Sequence, residues 1–321
     1  MTATPALPSP QLSAALVTYA ADAPDGWATM LDTARLYDRV GIDRLVISDH
    51  VVFGEHLDEY ARPEVGGQRD GRQPTGPDGH WLEPMTVLSV IAGMTERVHL
   101  STGILLAALR RPVVLAKSAA TLDVLSRGRL DLGVGVGWQR EEYEAAGLDF
   151  AGRGRLLDHT LEVCRALWTQ PVAHYQSSEL GFDRIHMMPK PLRPDGVPIW
   201  ISGTINARVV DRLCRFGMRW IPWGDDAADL EQSIPKLRER IATAGGAPDG
   251  LEVVANLRIF RGDDGAIDLE RTMAAVPRLL AAGATDLRVR FPMRAPDADA
   301  EVALREFVTA FRAAAGRDDA V

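Results

Sequence analysis

Apolar positions along this chain recur in two alternating rhythms. Short β-rich runs, LSAALVTY (12–19), RLVISDH (44–50), VHLSTGILL (98–106), GRLDLGVGV (128–136), VPIWISG (197–203), MRWIPW (218–223), LEVVANLRIF (251–260) and TDLRVRF (285–291), are bounded by glycine and proline. Between them, stretches such as WATMLDTARLYDRV, PMTVLSVIAGMTE, PVVLAKSAATLDVLS and LLDHTLEVCRALW place apolar residues at i, i+3, i+4 and i+7, the spacing of an amphipathic helix. Pro84, Pro112 and Pro198 stand where elements begin, and Gly41, Gly217 and Gly283 stand between a helix and the next strand. About eight βα units can be counted, which predicts an α/β fold of the (β/α)8 TIM barrel type rather than two unrelated domains.

Two segments break the rhythm. Residues 53–82, rich in Gly, Pro and charge, follow the second strand and are expected to form a lid. Residues 171–196, after the fourth helix, read as a β insertion with a turn near Gly181. The whole chain, 1–321, is expected to be one barrel domain.

Composition narrows the functional classes. A hydrophobic fraction of 46% and a charged fraction of 25% are those of an ordinary globular protein. With 36 basic and 44 acidic residues the formal charge is −8, which argues against nucleic acid as a partner. No run approaches a membrane span, and MTATPALPSPQ has neither the basic region nor the apolar core of a leader, so a cytoplasmic chain is expected. Cys164 and Cys214, far apart in helical patterns, are expected to be buried free thiols.

In a barrel, function sits at the C-terminal ends of the strands. There the second strand carries Asp49 and His50, and alternation sets His50 opposite Leu45, Ile47 and Asp49, towards a pocket. Thr102, Gly103 and Ile104 form a small-residue point where a flat ligand can meet the backbone. Gly133, Gly135 and Gly137 alternate ahead of Trp138, leaving a bare wall for a planar ring or, alternatively, answering a crowded barrel interior. Ser202, Gly203 and Thr204 lie at a strand-to-helix turn suited to a phosphate, or simply to capping the helix. Arg290 is placed to reach an anionic group, while Arg258 and Arg288 suit salt bridges inside the barrel.

The stretch from EPMTVLSVIAGMTERVHLSTGILL through GRLDLGVGVGWQREEYEAAGLDF, with RGRLLDHTLEVCRALWTQ and VPIWISG after it, resembles the luciferase-like monooxygenase superfamily. Within that superfamily the deazaflavin (coenzyme F420)-dependent oxidoreductases are the nearest likeness. The resemblance implies a homodimeric barrel that moves a hydride on F420 or FMN, with Asp49 and His50 beside the ring and His50 exchanging a proton. It also implies a cis peptide between Gly103 and Ile104, a ring or ribityl contact at Val136, Gly137 and Trp138, and phosphate at Ser202, Gly203 and Thr204. This chain departs from sugar-phosphate oxidising members, which carry an acid where Trp138 follows Gly137. Ser202 replaces the first of the paired glycines many relatives have at the phosphate turn.

The leading expectation is therefore an F420-dependent oxidoreductase acting on a small molecule, with an FMN monooxygenase using O2 as the alternative. Trp81, Trp138 and Trp223 suggest an uncharged or aromatic substrate. A metal-dependent barrel hydrolase recruiting Asp49, His50, Glu55, His56 and His80 has no HxH or HExxH spacing behind it, and no metal is expected. A barrel without catalysis is the remaining class.

Overall fold

Eight parallel strands close on themselves in chain order: β1 (Gln11–Ala15), β2 (Arg44–Ile47), β3 (His99–Thr102), β4 (Leu130–Val134), β5 (Ile199–Gly203), β6 (Arg219–Pro222), β7 (Glu252–Asn256) and β8 (Asp286–Arg290). The computed structural model describes residues 10–292 and 296–318; the N-terminal residues 1–9 that entered the sequence reading lie outside them. Each expected strand is present and trimmed at one end or both, though the first begins one residue early at Gln11. Trimming matters at two places: β2 stops at Ile47, so His50 lies in the loop beyond and strand alternation does not orient it, and β7 stops at Asn256.

Alternation along the strands sorts side chains into two environments. Leu12, Leu45, Leu100, Leu132, Ile201, Val253 and Leu287 face outward into the core shared with the helices. Inside, Trp200, Ile221 and Val254 form a small separate apolar cluster with Ile104 packed against it. The outer helices include α1 (Ala28–Val40), α2 (Pro84–Ala92), α3 (Pro112–Leu125), α4 (Arg140–Ala145), α5 (Arg153–Thr169) and α6 (Ala207–Phe216). Their ends follow local chemistry: Pro84 and Pro112 occupy the first turns of α2 and α3, and Gly41 ends α1 at φ 81° with its N–H on the Tyr37 carbonyl.

Beneath the inner apolar cluster the barrel is ionic. Arg44 donates from Nε to Asp131 (3.1 Å), pairs through Nη1 with Asp286, and lies 4.8 Å from the centre of the Trp200 ring. His99 Nδ1 lies 3.3 Å from the same Asp131 carboxylate, and Ser13 Oγ donates to Asp286. Burial by itself would raise the Asp131 carboxyl, but the Arg44 guanidinium and His99 hold it well below the usual carboxylate range. Burial lowers Arg288, next to this layer, to about 10, and Asp286 offsets part of that.

Residues 173–185 form the expected hairpin, Ala173–Gln176 against Gly181–Ile185. Lys190 beyond it donates to the Leu167 and Gln170 carbonyls (both 2.6 Å) at the end of α5, where a helix dipole favours a cation. Of the two free thiols Cys164 is buried as expected, whereas Cys214 is only half-buried. Among the described residues no helix is long and apolar enough to cross a membrane.

Removing one partner of a buried ion pair strands the other charge, at about 3–5 kcal/mol. Arg44→Met should therefore destabilise the protein by about that much in urea unfolding at pH 7. The loss should shrink as pH falls towards about 4, where stranded carboxylates take up protons. A loss below about 1 kcal/mol, or one flat with pH, would show that Arg44 does not hold the barrel floor together.

Candidate active site

The loop leaving β2 carries the two residues singled out at its end, and they point to different partners. Asp49 is buried; its Oδ2 accepts the Leu106 N–H (2.8 Å) and Arg110 Nη1 (2.6 Å), and its Oδ1 accepts Arg110 Nη2 (3.1 Å). Arg110 continues to Glu83 (2.9 Å), the residue capping α2 through the Thr86 N–H (2.7 Å). The carboxylate expected beside a cofactor is thus a bracket joining the segments that follow β2 and β3.

His50 is held differently. Its Nδ1 lies 3.2 Å from Glu142 Oε2, and Glu142 Oε1 accepts the Val51 N–H (2.8 Å). The Glu142 side chain is 1% exposed and that of His50 10%. An ionised carboxylate only accepts, so this contact keeps the hydrogen on Nδ1 and leaves Nε2 for proton exchange. Phe53 (4.3 Å between ring centres), Trp81 (4.8 Å) and Trp138 (6.1 Å) wall the imidazole.

Over the barrel mouth lies a cavity of about 470 Å3. Val46, Gly103, Ile104, Ser202 and Arg290 line its barrel side, and Tyr60 with residues 68–72 its other side. Trp223 Nε1 donates to the carbonyls of both Gly66 and Gly67 (3.1 Å each), and Arg153 Nη2 donates to Val65 (3.1 Å), so the segment is pinned across the mouth. The Tyr60 ring lies 5.3 Å from Trp138, and Trp81 stacks on Tyr19 at 4.3 Å.

Of the residues chosen from sequence, Gly103, Ile104, Ser202, Trp223 and Arg290 come together on this cavity. The Gly103–Ile104 peptide is cis. A Cβ on Gly103 would lie 2.5 Å from Val46 Cγ1 and 3.0 Å from Arg288 Nη1, so only glycine lets the backbone pass here. Asp49, His50, Trp81, Trp138, Thr102, Val136, Gly137, Gly203 and Thr204 are not on its wall. Thr102 instead donates to the Gly133 carbonyl (2.8 Å), the Val136 carbonyl accepts the Tyr143 hydroxyl (2.6 Å), and the Gly203 carbonyl accepts the Trp220 N–H (2.9 Å).

Three expectations change. The alternating glycines do not leave a bare wall: a Cβ on Gly133 would fall 2.0 Å from the Thr102 carbonyl oxygen, on Gly135 2.8 Å from Ile104 Cδ1, and on Gly137 2.6 Å from Leu106 Cδ2. Crowding against the chain after β3 demands them. The turn after β5 is already occupied: Asn206 Oδ1 caps α6 by accepting the Arg208 and Val209 N–H groups, and Asp226 Oδ2 accepts the Ile205 N–H (2.6 Å). That carboxylate opposes a phosphate in the position expected for one. Arg258 lies past the end of β7, exposed over the Phe260 ring, not inside the barrel. Among the described residues no cluster of His, Cys, Asp or Glu is arranged to hold a metal.

Glu142, Tyr60, Arg69 and Arg72 escaped the sequence reading. Glu142 sits in REEYEA, where a run of acids reads as a solvated helix face; its one signal is adjacency to Tyr143, also buried.

Comparison with known proteins gives the chain its relatives. A family model described as luciferase-like monooxygenase matches residues 8–319. An uncharacterised protein of Mycobacterium tuberculosis is 29% identical over 273 residues, covering 85% of this chain and 90% of that one. The F420-dependent glucose-6-phosphate dehydrogenase of Nocardia farcinica is 27% identical over 265 residues, covering 79% and 70%. Among solved structures, the monooxygenase RslO1 from Streptomyces bottropensis superimposes with a TM-score of 0.70 at 18% identity, covering 92% of this chain and 97% of that one, a likeness of fold.

The pin can be cut without touching the barrel. Trp223→Phe removes the single donor shared by the Gly66 and Gly67 carbonyls, worth about 1 kcal/mol net, so hydrogen exchange over residues 60–68 should quicken several-fold while exchange in β1–β8 stays unchanged. Unaltered exchange over 60–68 would mean that the other contacts hold the segment unaided.

Proposed function

Because the chain belongs to the luciferase-like monooxygenase family, we propose that it is an F420-dependent oxidoreductase transferring hydride to or from a small organic substrate at the barrel mouth. The observation that carries this reading is the His50–Glu142 pair, a proton-handling histidine fixed by a buried carboxylate and walled by aromatic rings. The Nocardia dehydrogenase, similar over most of its length, supports the choice of cofactor.

The residues present fit a flavin-type group. The cavity lies in the usual size range of small-molecule sites. The Trp138 indole N–H is buried with no partner among the described residues, an open donor near His50. The backbone at Gly103 and Ile104, with Ser202, would hold the ring, and residues 53–82 would act as the lid. A reduced deazaflavin, when bound, supplies the hydride. A hydride arriving at a polarised carbon leaves charge on its neighbour, and His50 Nε2 supplies the proton that neutralises it. Glu142 keeps the imidazole oriented, with Nδ1 towards the carboxylate. Phe53, Trp81 and Trp138 keep water from that proton.

A reduced-FMN monooxygenase is the second reading, supported by Ser202 standing in place of the first of the paired glycines that many relatives have at the phosphate turn. We further propose a homodimer in the cytoplasm. Exposed Val90 on α2 and Val113 and Val114 on neighbouring α3 support a second copy covering them, and the free thiols suit a reducing compartment.

In a fluorescence-quench titration the protein should bind F420 and bind FMN far more weakly; the reverse order would replace the first reading by the second. His50→Asn should lower turnover by roughly 10²–10⁴ with cofactor affinity unchanged. Glu142→Ala should also lower turnover with cofactor affinity unchanged, since the imidazole loses the buried acceptor that fixes its orientation. Full activity in His50→Asn would remove His50 from the chemistry.

A further inference from the structure

The chain is acidic overall, with a formal charge of −8, yet its mouth is not. Arg69 and Arg72 from the covering segment and Arg288 and Arg290 from β8 line one cavity, against a single carboxylate, Asp70. Several arginines elsewhere are closely matched: Arg110 with Asp49, Arg212 with Asp158 (2.5 Å) and Arg317 with Asp43 (2.6 Å). Those of the cavity are matched less closely, Arg288 having Asp286 nearby but no ion pair with it. Arg69 reaches Asp225 only at 3.7 Å, Arg288 reaches Ser13 Oγ and Arg290 the Tyr19 hydroxyl at 3.5 Å each, and Arg72 makes no hydrogen bond or ion pair among the described residues. Four guanidinium groups gathered in a concave site around one carboxylate suit planar, bidentate anions. The alternative anion slot, at the start of α6, already holds Asp226.

We propose that this cavity binds an anionic group, a phosphate or carboxylate carried by the substrate or by the cofactor's side chain, held jointly by Arg290 of the barrel and Arg72 of the covering segment. The placement rests on the reading of this mouth as the reaction site, but binding itself requires no turnover. It replaces the uncharged substrate suggested by the tryptophans with an anionic one, or it moves the cofactor's phosphate from the β5–α6 turn to the arginines. In either case the anion bridges barrel and cover, so its binding also closes the site.

Calorimetric titration of the full-length protein tests this with paired probes of one shape, phenyl phosphate against phenol and FMN against riboflavin. Phenyl phosphate should bind at least about tenfold more tightly than phenol and weaken as salt rises. Arg72→Gln and Arg290→Gln, both at exposed positions, should each cut the affinity for an anionic probe about tenfold, and Arg278→Gln, a surface pair with Glu231, should not. If the two variants weaken FMN but not riboflavin, the anion is the cofactor's. If they spare both flavins and weaken phenyl phosphate, it is the substrate's. Equal binding of phenyl phosphate and phenol, no binding of either with FMN no tighter than riboflavin, or variants that alter neither phenyl phosphate nor FMN affinity would overturn the proposal. Phenyl phosphate binding in a protein that ignores every flavin would keep the anion site and remove the flavin reading.

Discussion

A buried charge must be answered, and in this barrel the answer is Arg44. Set between Asp131 and Asp286 with Trp200 over its face, it ties β2, β4, β5 and β8 together across the barrel axis. Such a group adds little net stability over an apolar core, but it is intolerant of rearrangement, since one guanidinium answers two buried carboxylates at once. With the floor committed to ions and the layer above filled by Trp200, Ile221, Val254 and Ile104, the interior of the barrel opens to a ligand towards the C-terminal ends of the strands.

The fold was legible because each strand advertises itself twice, by apolar alternation and by the glycine or proline that bounds it. Seven of the eight strands lie within the runs read for them, the first begins one residue early at Gln11, and the hairpin at 173–185 turns near Gly181. The ends were less legible. Val46 and Ile47 give no sign that β2 stops before Ser48, because a strand's last pairing depends on what its neighbour offers, and β3 ends at Thr102.

The site was legible only in part, for reasons of crowding and pairing. An alternating-glycine strand looks the same whether it admits a ring or a neighbour's carbonyl; the Thr102 carbonyl, 2.0 Å from where a Gly133 Cβ would stand, decides it. The turn after β5 has the chemistry for a phosphate, but Asp226, 21 residues further on, reaches Ile205 first. Glu142 hides in an acidic run because burial of one member among three is a tertiary fact. Arg72 belongs to a segment legible as a Gly-, Pro- and charge-rich lid, with nothing in it to single out one arginine. What composition reported as an acidic molecule is an acidic shell around a cationic mouth.

The single indole that holds Gly66 and Gly67 has a kinetic meaning. Both hydrogen bonds share one donor, and Gly67 is packed so tightly beneath Tyr60 that a Cβ there would fall 2.2 Å from its carbonyl oxygen. A cover fastened at one compact point lifts as a unit, not by fraying from an end. If residues 53–82 are the lid and His50 the proton donor, as proposed, entry and exit would share one gate, and its opening frequency would set a ceiling on turnover.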